Sequence, residues 1–281
     1  MITLPKLPEI HIGALSNGMK YVFIPDKGSG LIHVEVRGYA GSLLETDPRI
    51  YGVAHFLEHM VCKGTKSFPN EDAITDEFDL IGAYRNGWTS QVSKRYAIGT
   101  DTSKSVEAIR FVSECILDPI LDESIIERER SVIQSELRDA FSEGDMQIKI
   151  KLAQMLYDSP RFAVHSILGG DNSIKNITKK DLVDFRDKFY TPANFIIGSV
   201  GDITHEEFIT IAEREIGAAP YGSGVDRIVI RRTDLKSIVS DSPLVKNSKI
   251  KIAWTLRQEN CVRDYHKLLI PILIIGQMRR S

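Results

Sequence analysis

The run His55-Phe56-Leu57-Glu58-His59 limits what this chain can fold into more than any other stretch. On a helix, positions i and i+4 lie one turn apart on one face, so the two imidazoles can share a ligand. Glu58, at i+3 from His55, falls on the same side. The opposite face carries Val53, Phe56, Leu57, Met60 and Val61, at i, i+3, i+4, i+7 and i+8. A helix from about Tyr51 to Cys62 is therefore expected to bury its apolar stripe and turn two histidines and a carboxylate the other way. The order HxxEH is the reverse of HExxH and is a recognised zinc-binding helix pattern. Two core histidines satisfied by hydrogen bonds would be the bland reading, but such a face without a partner is costly to bury.

A catalytic zinc needs a third protein ligand and an open position. The helix expected over Ser124–Phe141 offers one. Its apolar stripe runs through Ile126, Ile133, Leu137 and Ala140, and Glu129 and Glu136 lie on one border of it, seven residues and two turns apart. Carboxylates so near a buried face are expensive unless paired or metal-bound, whereas a slight rotation would leave both in water. Spacing alone does not choose between them. Glu127, Glu123 and Asp122 read as solvated, and Ser124 with Glu127 as a capping box. Cys62 shares the face of His55 and His59, but a small buried hydrophobe is the simpler reading. His165, His205 and His266 stand in turns or helix starts, and His11 and His33 in strand-like segments, so none is expected to be a ligand.

Around these helices the pattern alternates between strand and helix. Strands are expected at Met19–Phe23, after an Asn-Gly turn, at Leu31–Val36, as a pair within Tyr84–Thr100, and at Phe195–Val200. Helices are expected at Glu71–Ile81, Ser103–Leu117, Met146–Tyr157, Lys179–Tyr190 and His205–Ile216, with a turn-rich stretch at 158–176. The run GAAPYGSG at 217–224 reads as a linker between a 1–216 domain and a shorter 225–281 unit. That unit offers strands near Arg227 and Lys249–Trp254 and a helix from about Asp264, the start of an incomplete second domain.

Net charge is −2 and the pI about 6.4, so nothing calls for nucleic acid or an anionic membrane surface. The longest apolar run, Leu268–Ile275, is broken by Pro271 and too short to span a bilayer. Cys62, Cys115 and Cys261 are far apart, as expected of reduced thiols. With no basic, apolar leader at the N-terminus, a cytoplasmic location is expected.

Several further motifs stand in order along the chain. They are Leu15-Ser16-Asn17-Gly18-Met19; Ala40-Gly41-Ser42 with Glu45; Gly52 through Thr65; Asn86-Gly87-Trp88-Thr89-Ser90; Glu129 through Glu136; Ile167-Leu168-Gly169-Gly170; and Asn194 through Asp202. With the HxxEH helix they resemble the pitrilysin, insulin-degrading-enzyme and mitochondrial-processing-peptidase family over about residues 10–216, and more weakly beyond. The resemblance implies an α+β fold, a mixed, mainly antiparallel sheet with helices packed on one face, repeated in two halves around a chamber. It implies a zinc endopeptidase with His55, His59 and Glu136 as ligands, the last lying 77 residues beyond His59. Glu58 becomes the general base and Glu129 an acid held near the metal. It also implies that extended peptide pairs with the edge strand at Asn86, Gly87, Trp88 and Thr89. Trp88 could stack on that peptide or pack under the edge, and Gly87 stands where the family usually has a small residue such as alanine.

Such families carry a complete second half, which supplies an arginine and a tyrosine that grip substrate. No residue here matches them: either the chain is a fragment of a longer peptidase, or the missing half comes from another chain or a second copy of this one. Two other readings remain open at this point: a non-catalytic or weakly active subunit of the same family, and a metalloenzyme like the lyase that cleaves S-ribosylhomocysteine.

Overall fold

Alternation along the N-terminal third becomes sheet in a computed structural model that describes residues 8–142, 145–156 and 166–228. Strands β1 (His11–Ala14), β2 (Lys20–Pro25) and β3 (Leu31–Gly38) come first. They are followed by helices α1 (Val53–Val61) and α2 (Glu71–Phe78), then strands β4 (Tyr84–Thr89) and β5 (Lys94–Asp101). Next come α3 (Ser105–Leu117), α4 (Glu123–Ser142), α5 (Asp145–Leu156), α6 (Asp171–Asn176) and α7 (Lys179–Phe189). Strand β6 (Phe195–Gly201) and α8 (His205–Ala212) complete the set. The helices and strands expected from the sequence up to residue 216 are all present, with ends shifted by a few residues.

The six strands form one sheet in the order β1-β2-β6-β3-β5-β4, antiparallel throughout except where β6 runs parallel to β2. Side chains alternate across it. Tyr21, Phe23, Ile32, Val34, Val36, Tyr96, Ile98, Phe195 and Ile197 are buried on one face. Ile12, Leu31, Ile196 and Val200 stand exposed on the other. The helices therefore pack on one face, where α1, α3 and α8 lie against the strands and α4 and α7 against α1. No helix among the described residues is long and apolar enough to cross a membrane.

Four local expectations are corrected. Asp122, not Ser124, caps α4: its carboxylate accepts the Ser124 amide at 2.8 Å and the Ile125 amide at 3.4 Å. Glu127 instead pairs with Arg130 at 2.8 Å, so the capping box does not form. The turn-rich stretch before Asn176 contains a helix, α6, whose six residues are too few to show a hydrophobic period. The helix expected at His205–Ile216 is regular only to Ala212 and widens over Glu213–Gly217, where Glu213 bonds Ser16. Cys62 is half-buried rather than fully enclosed.

From Ala218 to residue 228 the chain lies against the preceding elements in irregular conformation. Ala193 donates to the Tyr221 carbonyl at 2.8 Å, and Ile228 to the Tyr39 hydroxyl at 2.9 Å. Arg227 is thus not in a strand. His165, Cys261, His266 and the elements expected from 249 onward lie outside the described residues, as does Leu268–Ile275.

Candidate metal centre

Helix α1 is placed by its apolar face and by contacts at its start. Its apolar face is wholly enclosed, with Val53, Phe56, Leu57, Met60 and Val61 each 0% exposed. Burying such side chains stabilises by roughly 1.5–3 kcal/mol each. At its start Gly52 has φ 98°, a conformation that disfavours any Cβ, and a Cβ there would lie 2.8 Å from the Leu168 carbonyl oxygen. Gly169 lies so near the Tyr51 carbonyl that a Cβ would meet its oxygen, which accounts for the first glycine of the Ile167-Leu168-Gly169-Gly170 motif. The Glu45 carboxylate accepts the amides of Gly52 at 2.9 Å and Ala54 at 2.8 Å, occupying free donors at the helix N-terminus. Burial pushes Glu45 up to about 8, against the pull of those two amides and of Lys94.

The polar face of α1 turns toward α4. The ring centroids of His55 and His59 lie 4.7 Å apart. Glu136 Oε2 stands 3.8 Å from His55 Nε2 and 3.5 Å from His59 Nε2. A tetrahedral zinc with bonds of about 2.0–2.1 Å spaces its ligands roughly 3.3–3.4 Å apart, close to these separations. All three candidate ligand atoms lie within 4.8 Å of one another, and no other His, Cys, Asp or Glu trio among the described residues does so. Burial, with His59 and Lys94 nearby, pushes His55 down to about 3, so its imidazole stays neutral, as a metal ligand must. Its Nδ1 is buried and has no hydrogen-bond partner among the described residues. The donor set thus fits zinc.

Glu129 takes a different place. Its carboxylate, 3% exposed against 44% for Glu136, lies 3.2 Å from His59 Nδ1, 3.2 Å from Lys63 Nζ and 3.5 Å from Arg128 Nε. It holds the far nitrogen of the imidazole whose Nε2 faces Glu136, the arrangement that orients histidine ligands in metal sites. Two cations make its burial tolerable.

Glu58 points toward edge strand β4. The Thr89 hydroxyl donates to Glu58 Oε2, and a Cβ on Gly87 would lie 3.1 Å from Glu58 Oε1. Gly87 and Thr89 therefore face α1. Asn86 and Trp88 alternate to the other side of the sheet, where the Arg95 guanidinium sits 3.7 Å from the Trp88 ring centroid. Trp88 is 42% exposed there, with Arg95 against its ring.

Cys62 joins neither ligand group. Burial, then Glu58, pushes its thiol up to about 12, so it stays protonated. His205 stacks on His11 with centroids 4.2 Å apart and lies 3.1 Å from the Tyr21 hydroxyl, a structural contact far along the sheet.

Lys94 is the site residue that the sequence reading missed. It occupies an inward position of β5, in line with Tyr96 and Ile98, and is 0% exposed. Burial pushes it down to about 8 against the pull of Glu58, Glu45 and Cys62. A lysine on the buried parity of an otherwise apolar strand was the available signal.

A sheet covered on one face, an HxxEH helix and a carboxylate from a neighbouring helix define an inverted-motif metallopeptidase half. Comparison with known proteins agrees. The family model "Insulinase (Peptidase family M16)" matches residues 31–160, and "Peptidase M16 inactive domain" matches residues 176–275. The chain belongs to the M16 peptidase family. It is 30% identical over 211 residues to the mitochondrial-processing peptidase subunit beta of Bos taurus, covering 75% of this chain and 42% of that protein. To the corresponding subunit of Saccharomyces cerevisiae it is 30% identical over 217 residues, covering 76% and 46%. Among solved structures, a protease from Helicobacter pylori superposes with a TM-score of 0.66 at 26% identity, covering 80% of this chain and 53% of that one. The chain spans about half the length of the curated relatives it matches.

Proposed function

We propose that this chain is the zinc-carrying half of an endopeptidase that hydrolyses extended peptide segments. The observation that carries this reading is the convergence of His55, His59 and Glu136 beside a Glu58 carboxylate that lies against an edge strand. His55, His59 and Glu136 would hold zinc, which when bound would supply Lewis-acid polarisation of the scissile carbonyl and a water nucleophile near neutral pH. The protein's own groups do the rest. Glu129 holds His59 with Nε2 toward Glu136, where that nitrogen would serve as a ligand. Glu58 takes the proton of the attacking water at Oε1, since Oε2 already accepts from Thr89, and returns it to the departing amine. Among the described residues β4 pairs on one side only, with β5. Its free edge can bind substrate main chain by strand addition, with Asn86, Gly87, Trp88 and Thr89 supplying the pairing groups and little sequence selectivity.

Zinc content, together with turnover of an unstructured quenched peptide by the wild type and by Glu58→Gln, tests the proposal. The variant is expected to keep its metal and to lose at least ~100-fold in kcat. Equal loss of metal and activity would make Glu58 a ligand or a structural residue.

A second reading is supported by coverage: the chain matches only about half the length of the relatives. Activity would then need a second half, whether from a longer polypeptide, another chain or another copy of this one. Addition of that half should raise peptide turnover, and full activity of a monomer by light scattering would refute the need for it.

A further inference from the structure

A fully buried ammonium in a sheet facing a helix costs several kcal/mol unless its donors find acceptors. Lys94 finds two. Nζ donates to the carbonyl of Ala54, in the first turn of α1, and to Thr89 Oγ1 at 2.5 Å. The Thr89 hydroxyl in turn donates to Glu58 Oε2. The order of donation is set by the chemistry of the groups. An ammonium has donors only, and a threonine hydroxyl has one proton and free lone pairs. With Lys94 donating into Thr89 Oγ1, the hydroxyl proton has to leave in another direction, and Glu58 Oε2 lies there. Relieved of Lys94, the same hydroxyl could turn its proton elsewhere and present a lone pair to the carboxylate.

Two further contacts narrow the choice for Glu58. Gly87 backs onto the carboxylate so closely that a Cβ would approach Cγ to 3.0 Å. The Ala54 contact ties β5 to the helix that carries Glu58, so the distance between clamp and carboxylate is held at both ends. We propose that Lys94 is a positioning residue that acts through Thr89 to hold Glu58 in a single orientation, with Oε2 engaged and Oε1 left for the proton of the attacking water. The last clause rests on the reading of Glu58 as general base; the clamp itself does not. A lysine that served only as counter-ion to the buried Glu45 would leave Glu58 indifferent to its removal.

The test is crystallographic and kinetic, on the zinc-loaded full chain and its Lys94→Met, Thr89→Val and Thr89→Ser variants. In Lys94→Met and Thr89→Val the Glu58 carboxylate is expected to rotate or split between rotamers, while α1 stays in place and zinc occupancy stays full. Thr89→Ser, which keeps the hydroxyl, should keep the wild-type orientation. Where turnover is measurable, kcat should fall about 10- to 100-fold in the first two variants with KM within about twofold, the penalty expected of a misplaced catalytic group. The double variant should lose no more than the worse single one, because both residues act along one path. A Glu58 that keeps its wild-type orientation in Lys94→Met, or additive losses in the double variant, would overturn the proposal. If Lys94→Met does not fold, Lys94→Gln, whose amide falls short of Thr89, gives the same structural readout. Glu58→Gln run in parallel separates the two ideas: wild-type turnover by that variant sinks the general-base reading, and the carboxylate orientation in the other crystals still judges the clamp.

Discussion

Replacing Glu129 and Glu136 in turn by glutamine separates a ligand from the residue that orients one. Both changes preserve shape and remove one negative charge. For Glu129→Gln, the amide oxygen can still accept from His59 Nδ1 at the native 3.2 Å. What is lost is the difference between a charged and a neutral hydrogen bond, about 1–1.5 kcal/mol. Lys63 is not stranded, because Glu71 remains 2.7 Å from its Nζ. Zinc affinity should therefore fall about tenfold, at the lower end of the ~10–100-fold range for groups that orient metal ligands. For Glu136→Gln, one of three anchoring groups is removed and its charge with it, so affinity should fall by more than ~100-fold. Competition titrations of metal-free protein against a chromophoric zinc chelator, at constant pH, measure both values. If Glu136→Gln stays within about threefold of wild type while Glu129→Gln loses ~100-fold, the assignment of the two carboxylates is reversed and the reasoning from their positions fails.

Other parts of the structure give expectations of their own. Arg130 donates to the buried carbonyls of Ile174 and Ile177, the latter at 2.8 Å, so Arg130→Met should cost about 2 kcal/mol and lower Tm by roughly 4–8 °C in thermal unfolding. A shift below ~1 °C would mean that α4 is tied to α6 by other contacts. Burial would raise Asp181, but Arg49 and Thr178 overcome it and hold the carboxyl down at about 2. A depressed carboxylate contributes stability above its ordinary value of 3.8 and loses it as pH falls from there through about 2. With Arg49 half exposed, the effect is discounted to about 1 kcal/mol, and urea midpoints from pH 5 to 2 should fall less steeply in Asp181→Asn than in wild type. Trp88→Ala should leave zinc affinity unchanged and KM for peptide within about twofold, because the ring packs on Arg95 away from α1. A tenfold rise in KM would put that ring against the substrate.

The legible part of the site is the part made by neighbours in the chain. His55, Glu58 and His59 share a helix face because of helical geometry alone, and the apolar residues between them decide which way that face turns. The strands were readable wherever one face met water, as in β3, whose residues alternate between buried and exposed. Asp122 was mistaken for a bystander because either it or Ser124 can cap a helix, and the choice depends on where the first turn begins.

Residue order by itself therefore determined that this chain makes a helix able to offer two imidazoles and a carboxylate to one metal, on a scaffold of strands and amphipathic helices. Tertiary structure alone decided which distant carboxylate meets both imidazoles, that β6 would lie between β2 and β3, and that Lys94 would be sealed beneath α1 against Thr89. Those outcomes depend on how α4 rotates against α1 and how strands far apart in sequence pair. Such choices are settled by packing a whole core at once, and a local period of 2.0 or 3.6 residues carries no information about them.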